Sequence, residues 1–167
     1  METASTLIRN SDNIVWLTGA GISTACGIPD FRGPKGVWTL DPQSEKMSTL
    51  HYYKNSRTIR EAHWESFSYS FMEAATPSAA HYAIARQGGT VITQNVDGLH
   101  LKAGSFPVHE VHGRARTTSC LSCDWTVETT YILADIDAGN SDPDCPKCSG
   151  IVKRDIIFFG EDLDSNV

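Results

Sequence analysis

Short apolar segments separated by glycine- and proline-rich turns give this chain the pattern of an α/β protein. Ile14–Leu17 is apolar at every position, which predicts a strand buried on both faces, as in a parallel sheet. Thr90–Thr93 is short and rich in β-branched residues, and it predicts a second strand. A third short strand is predicted at Val108–His112.

Helical spacing of apolar residues appears between the first two predicted strands. It predicts a helix over Thr58–Ala74, which Thr76-Pro77 ends because proline lacks an N–H and clashes with the preceding turn. A second helix is predicted at Ala79–Arg86, with Ser78 as its cap and Gly88-Gly89 as its end. The residues near one face of the first helix, which we interpret as core, are Ile59, Ala62, His63, Phe67, Phe71 and Met72.

Three other segments lack strong periodicity. Thr6–Asp12 is predicted to be a short helix or turn, and Asp41–Tyr53 an irregular insertion. Cys120–Cys148 is rich in Asp, Cys, Ser and Thr without an α/β rhythm, which indicates an inserted module. We therefore predict that residues 1–117 form the main part, that 118–152 form the module, and that 153–167 return to the main part.

The turn after the first strand carries the first candidate chemistry. Gly19-Ala20-Gly21 makes a sharp turn, and Ile22–Cys26 is predicted to open a helix. Glycine lets the backbone approach a pyrophosphate, and a helix N-terminus offers free N–H donors, as in a dinucleotide-binding fold. The third glycine of the standard fingerprint is absent, so a tight turn without a ligand is the alternative. Residues 28–34 contain two prolines and are predicted to form a flexible lid.

A second polar cluster follows the second predicted strand. Gln94-Asn95-Val96-Asp97-Gly98 stands at the carboxyl end of that strand, where open α/β sheets bind ligands. Side-chain amides and a carboxylate are suited to hold a ribose and a carboxamide. An Asx-rich turn without a ligand is the alternative interpretation.

Four of the five cysteines form two pairs with the spacing of a zinc site. Two residues separate Cys120 from Cys123 and Cys145 from Cys148, and 21 residues lie between the pairs. Two such pairs complete a tetrahedron of thiolates around Zn²⁺, which leaves no position for water and makes the metal structural. A redox pair at Cys145 and Cys148 and plain buried cysteines are the alternatives.

Together these motifs resemble those of the sirtuins, the NAD-dependent protein deacylases. Residues 19–33, Gly-Ala-Gly-Ile-Ser-Thr-x-x-Gly-Ile-Pro-Asp-Phe-Arg-Gly, resemble the family signature, and residues 94–99 resemble its Gln-Asn-x-Asp-Gly-Leu string. His112-Gly113 precedes the first cysteine pair, where the family has its general base. Phe159-Gly160-Glu161 resembles the segment that pairs with a substrate peptide. The signals follow the family's order along nearly the whole chain.

The resemblance implies a Rossmann-like parallel sheet with an inserted zinc ribbon, and an NAD-dependent protein lysine deacylase that releases nicotinamide and O-acyl-ADP-ribose. His112 would be the general base, because imidazole accepts protons near neutral pH, and Asn95 would be the second catalytic residue. An acyl-lysine peptide would bind to Phe159, Gly160 and Glu161 by backbone hydrogen bonds. The implied NAD-binding residues are Gly19, Ala20, Gly21, Ser23, Asp30, Phe31, Arg32, Trp38, Gln94, Asn95, Val96, Asp97 and His112.

Composition and charge restrict the partners and the compartment. A hydrophobic content of 40% and a charged content of 20% are typical of a soluble globular protein. The net charge of −6 argues against bulk binding of nucleic acid, which needs a basic surface. We see no apolar run long enough to cross a membrane and no signal peptide, and five cysteines favour metal or thiol chemistry over disulfides. We expect a cytoplasmic protein, or a nuclear one in a eukaryote, of undetermined oligomeric state.

Two other function classes stay open. One is mono-ADP-ribosyl transfer from the same site, and the other is a zinc- and peptide-binding module without catalysis. A dehydrogenase is disfavoured because no acidic ribose-binding residue follows a second strand at the usual distance. The predicted sheet contains only the first half of a doubly wound fold. We therefore expect an exposed apolar edge on the first strand, with weak NAD binding and weak activity for this chain alone.

Overall fold

Two three-stranded sheets organise the computed structural model, which describes residues 3–66 and 74–163. The order β1-β2-β3 of the parallel sheet is that of one half of a doubly wound fold, which confirms the predicted Rossmann-like architecture. In the antiparallel sheet β4 lies between β5 and β6. The six strands are β1 (Val15–Thr18), β2 (Thr90–Thr93), β3 (Val108–Glu110), β4 (Gly113–Cys120), β5 (Thr126–Glu128) and β6 (Val152–Ile156).

Short helices connect the strands of both sheets. The predicted helix at Thr58–Ala74 is confirmed as far as Ser66, whereas Phe67, Phe71 and Met72 lie outside the described residues. Within the described ranges, no helix is long and apolar enough to cross a membrane. The α-helices are α1 (Ala4–Arg9), α2 (Val37–Leu40), α3 (Leu50–Asn55), α4 (Arg57–Ser66), α5 (Ala79–Gln87), α6 (Leu99–Lys102) and α7 (Thr129–Asp137), and the 3₁₀ helices are Ala20–Cys26 and Pro42–Ser48.

The parallel sheet brings the carboxyl ends of its strands to one edge. Thr18 of β1 is in register with Thr93 of β2, which is in register with Glu110 of β3. Among the described residues β1 pairs with β2 alone, and its Val15 and Leu17 side chains are 62% and 74% exposed. The exposed apolar edge agrees with the expectation from a half sheet. The prediction that Ile14–Leu17 forms a buried strand is wrong, because β1 is the outer strand of this sheet and none of its residues is buried.

The segment Asp41–Tyr53 is not the irregular insertion that its sequence predicts. It contains the 3₁₀ helix Pro42–Ser48 and most of α3, and it ends on the fully buried Tyr53. The Tyr53 hydroxyl donates a hydrogen bond of 2.8 Å to the carbonyl of Val152, 99 residues away in sequence. Helices of six or seven residues are too short to show clear periodicity, and a distant strand stabilises this segment.

The antiparallel sheet and α7 form the module around the four cysteines. The prediction that strands and helices do not alternate in this region is wrong, because β5 leads directly into α7. The predicted boundaries at 117/118 and 152/153 both fall inside strands, β4 and β6 respectively, and the division into domains stays a proposal. The core of the module joins α4 to the cysteines through Trp64, Cys120, Ile132, Leu133, Cys145 and Val152.

A fully buried histidine on α4 makes the stability of the chain depend on pH. Burial, and after it the positive charge of Arg154, lower the pKa of His63 to about 3, whereas an unfolded histidine titrates near 6.5. As the pH falls below 6.5 the unfolded chain takes up a proton that the folded chain refuses. The free energy of unfolding should therefore fall by about 2 kcal/mol between about pH 7 and pH 5 through this group.

Urea unfolding of the wild type and of His63→Asn at both pH values measures this contribution. Asparagine keeps an N–H donor for the carbonyl of Met47, which lies 3.0 Å from His63 Nδ1. Any effect of acid on the cysteine site is common to both proteins and cancels in the comparison. Equal losses of stability in the two proteins would contradict the assignment.

Candidate functional site

Three loops that leave the carboxyl edge of the parallel sheet form the candidate site. Gly19 follows β1, Gln94 follows β2, and His112 lies two residues after β3. The N–H of Gln94 donates to the carbonyl of Thr18 at 3.0 Å, which fixes the first two loops side by side. The N–H of Val111 donates to the carbonyl of Thr93 at 3.0 Å, which places the third loop beside them.

A hydrogen-bonded network of four predicted residues joins the first two loops. The Asn95 amide Nδ2 donates to the carbonyl of Gly19 and to Ser23 Oγ, both at 3.1 Å. The Ser23 hydroxyl then donates to Asp97 Oδ2 at 2.7 Å. Ser23 is 1% exposed and Asn95 9%, so these side chains lie at the floor of the site and are fixed before any ligand arrives.

The glycine turn leaves its backbone open to a ligand. Gly19 precedes a 3₁₀ helix that begins at Ala20, earlier than the helix start predicted at Ile22. A β-carbon placed on Gly21 would meet no atom within 4 Å, so the turn is open at that point. Gln94 is exposed, and its Oε1 lies 3.5 Å from the position that a β-carbon on Gly19 would occupy.

The predicted lid folds onto an aromatic stack. The rings of Phe31 and Trp38 lie 4.6 Å apart, and the Arg32 guanidinium lies 4.8 Å from the centroid of Trp38. Asp30 Oδ1 accepts the N–H of Gly33 at 3.0 Å, so its carboxylate stabilises the loop itself. An open cavity of about 490 Å³ lies beside the lid and is lined by Thr24, Gly27, Ile28, Pro29, Asp30, Pro34 and Lys35.

The segment predicted to bind a peptide already pairs with its own chain. The N–H of Phe159 donates to the carbonyl of Ser48 at 2.9 Å, and its carbonyl accepts the N–H of Leu50 at 3.0 Å. Glu161 Oε2 accepts the N–H of Phe158 at 2.6 Å and lies 3.1 Å from Lys153 Nζ. In this conformation the backbone of Phe159 is not available to a peptide. The Phe159 ring lies 5.5 Å from that of Trp38, which brings this segment against the lid.

His112 occupies a turn between β3 and β4 and is half-buried. Its carbonyl accepts the N–H of Ile157 at 2.8 Å, and among the described residues its imidazole makes no hydrogen bond. Gly113 has a φ of +77°, and a β-carbon there would collide with the carbonyl of Asp155. Gly113 is therefore required by the backbone, independently of any chemistry of the His112 imidazole.

The side chain of Val96, another predicted NAD-binding residue, does not join the network of Gly19, Ser23, Asn95 and Asp97. It packs against the buried cluster of Tyr53, Ala115, Ile156 and Phe158. Its carbonyl accepts the N–H of Ala115 at 3.0 Å, which ties the loop after β2 to β4.

Two histidines outside the predicted site residues lie directly behind the network. His81 on α5 and His100 on α6 are 0% and 2% exposed, and their ring centroids are 4.7 Å apart. His100 Nε2 lies 3.0 Å from the hydroxyl of Thr18, the residue before the glycine turn. Burial lowers the pKa of both rings, while the charge of Asp97 opposes that shift. Spacing alone gave no signal for this pair, because its members come from different helices.

The four cysteines come together as one candidate metal centre. Their sulfur atoms all lie within 4.8 Å of one another, with 3.5 Å between Cys120 and Cys148 and 3.7 Å between Cys123 and Cys145. Sulfurs at about 2.3 Å from one Zn²⁺ in a tetrahedron lie roughly 3.8 Å apart, so the set fits a single ion. Four converging thiols favour the zinc site over a redox pair.

Known sequences resemble the chain over most of its length. The model of the Sir2 family matches residues 19–167. The NAD-dependent protein deacetylase 2 of Streptomyces coelicolor is 45% identical over an alignment of 155 positions, which covers 89% of this chain and 64% of that protein. The NAD-dependent protein deacetylase 1 of Pyrobaculum aerophilum is 44% identical over an alignment of 172 positions, which covers 97% of this chain and 63% of that protein. The chain thus spans less than two thirds of the length of these relatives.

Solved structures agree with the family match. A Sir2 protein in complex with a p53 peptide and NAD⁺ has a TM-score of 0.81 and 30% identity, and the match covers 99% of this chain and 68% of that one. A Sir2 enzyme described for its mechanism and regulation has a TM-score of 0.84 and 36% identity, with coverage of 98% and 66%. The family model, the relatives and the fold point to the same conclusion: the chain belongs to the Sir2 family, the sirtuins.

Proposed function

We propose that the protein to which this chain belongs is an NAD-dependent protein lysine deacylase. The observation that carries the proposal is the network of Asn95, Gly19, Ser23 and Asp97 at the carboxyl edge of the parallel sheet, with His112 on the adjoining loop. The relatives that are named NAD-dependent protein deacetylases support it.

The network is suited to bind a dinucleotide. The open backbone at Gly21 and the start of the 3₁₀ helix offer N–H donors for a diphosphate. Asn95 and Asp97 hold the ribose and carboxamide end, while Phe31 and Arg32 close over it from the lid. When bound, NAD supplies the ribose carbon that loses nicotinamide and receives the acyl oxygen of the substrate.

His112 is the general base in this proposal. It would accept a proton from a ribose hydroxyl of bound NAD and so activate that hydroxyl towards the acyl group. The imidazole is half-buried and makes no hydrogen bond to the described residues, so it has a nitrogen available for that proton. The stack of Phe31, Trp38 and Phe159 lies between the lid and the peptide segment.

The peptide segment and the zinc centre complete the proposal. An acyl-lysine peptide binds along Phe159, Gly160 and Glu161, and it displaces Ser48 and Leu50 wherever it needs the backbone of Phe159. Zn²⁺ on the four cysteines stabilises the second sheet and takes no part in the reaction, since all four ligand positions are sulfur. Thiolate ligands suit a compartment that keeps thiols reduced, which favours the cytoplasm, or the nucleus in a eukaryote.

Nicotinamide release from NAD, with and without an acetyl-lysine peptide, tests this function. We expect peptide-dependent release together with loss of the acetyl group from the peptide, followed by mass spectrometry. Radiolabel from NAD on protein, with the peptide still acetylated, would instead establish ADP-ribosyl transfer. Zinc and peptide binding without nicotinamide release would establish a binding module and contradict the proposed reaction for this chain.

A further inference from the structure

The buried pair of His81 and His100 connects to both ends of the glycine turn. His100 Nε2 contacts the hydroxyl of Thr18, immediately before Gly19. On the other side, Ser78 Oγ lies 2.8 Å from His81 Nδ1 and 3.4 Å from the carbonyl of Ile22, inside the 3₁₀ helix. The two stacked rings therefore tie the start of the turn to its helix from behind.

Hydrogen bonding determines where the proton of His81 resides. The backbone N–H of Ser78 points at His81 Nδ1 over 3.2 Å, and a backbone N–H can only donate. Nδ1 is therefore an acceptor, and the neutral ring carries its proton on Nε2. The Ser78 hydroxyl has a single proton, which it donates to the carbonyl of Ile22, so His81 holds Ser78 through the backbone N–H. Protonation of Nδ1 would break this contact at the start of α5, so the geometry needs a neutral ring.

Packing alone does not explain two imidazoles at this position. His81 Nε2 and His100 Nδ1 are buried and have no hydrogen-bond partner among the described residues. Buried polar atoms without partners are unfavourable, whereas leucines would fill a similar volume without leaving any polar atom unpaired. The benefit that offsets this disadvantage lies in the other nitrogens, His81 Nδ1 and His100 Nε2, which face Ser78 and Thr18.

We propose that His81 and His100 are positioning residues of the dinucleotide site, which act through Ser78 and Thr18 to hold the glycine turn in its binding conformation. The inference rests on the proposed function for its ligand, NAD, but its structural part concerns the free chain. The proposal assigns the contact with the glycine turn to one nitrogen of each ring, Nδ1 of His81 and Nε2 of His100. That assignment makes the two positions respond differently to the same substitutions.

Substitution by asparagine and glutamine tests the assignment. An asparagine amide reaches about as far as Nδ1 and a glutamine amide about as far as Nε2. We expect His81→Leu and His100→Leu each to weaken NAD binding about fivefold, as expected for one lost hydrogen bond. His81→Asn and His100→Gln should restore binding, whereas His81→Gln and His100→Asn should not. Calorimetric titration with NAD measures the affinity, and urea unfolding checks that the compared variants are equally stable.

Amide hydrogen exchange of residues 19–28 provides a second measurement that needs no ligand. Exchange in this segment should rise in the two leucine variants and return to normal only in the two restoring variants, with the second sheet unchanged. Thr18→Val, which removes only the hydroxyl partner of His100, should raise it as well, even if a histidine variant fails to fold. Tyr82→Ala and Leu101→Ala, at exposed positions on the same helices, are the controls.

The two measurements separate the inference from the proposed function. One outcome is that the wild-type chain fails to bind NAD while exchange still rises in the leucine variants and returns to normal only in His81→Asn and His100→Gln. In that case the positioning role stands and NAD binding by this chain is contradicted. If NAD binds but asparagine and glutamine are equivalent at both positions, the pair is a structural filler and the inference is overturned. Unchanged exchange in Thr18→Val would also overturn it for His100.

Discussion

Removal of zinc is expected to unfold the second sheet and to loosen α4 with it. The sheet has few apolar residues of its own, and two of the six residues in its core cluster are the ligands Cys120 and Cys145. Structural zinc contributes on the order of 10 kcal/mol to folding, which is comparable to the whole stability of an ordinary domain. Trp64 on α4 is 1% exposed in that cluster, so its fluorescence should shift to longer wavelength when a chelator is added.

Cys148→Ser separates the contribution of the metal to stability from that of apolar packing. Cys148 is exposed, so serine at this position removes little buried surface and acts mainly through loss of a ligand. We expect less than one zinc per chain and the same fluorescence shift without a chelator. Cys26→Ser is the matched control, because Cys26 is a thiol outside the four-sulfur cluster. A stable second sheet in metal-free protein would contradict the structural role of zinc.

The parts of the fold that were predictable from the sequence are those with local causes. The start and end of α5 follow from Ser78 and Gly88, and β2 follows from a short β-branched run. The network of the site was predictable because the carboxyl ends of parallel strands meet at one edge, which brings Gly19 and Asn95 together.

The parts that were not predictable depend on contacts that the pattern of residue types along the segment does not show. β6 contains Lys153 and Arg154, which are 6% and 0% exposed, although charged residues predict a solvent-exposed position. Lys153 Nζ donates to the carbonyls of Arg154 and Ile156 and lies beside Glu161, and these partners make its burial possible. No pattern within residues 152–156 indicates them.

The pairing of Phe159 with residues 48–50 is another such contact, and it has a functional consequence. The isolated bridge between Thr49 and Phe159 links the helical segment after the lid to the predicted peptide segment. Trp38 contacts both the lid and the Phe159 ring, so binding of a peptide is expected to move the lid as well. The aromatic stack and this bridge thus couple the two substrate sites of the proposed reaction.

Replacement of His112 by alanine is expected to abolish deacylation while the fold and the zinc site stay intact. The contact of His112 with Ile157 uses the backbone carbonyl, which alanine retains, and among the described residues the imidazole makes no hydrogen bond that alanine would break. A positioned general base contributes about 10²- to 10⁴-fold to a rate. The initial rate of peptide deacylation should fall by that factor, whereas the circular dichroism spectrum and the zinc content should match those of the wild type.

His109→Ala is the matched control, because His109 lies three residues away on β3 and is exposed. It removes an imidazole from the same region without touching the loop after β3. Full turnover in His112→Ala, or an equal loss in His109→Ala, would assign the base to another group. A selective loss in His112→Ala would mean that the loop after β3, held beside the network of Asn95 and Asp97, supplies the base of the reaction.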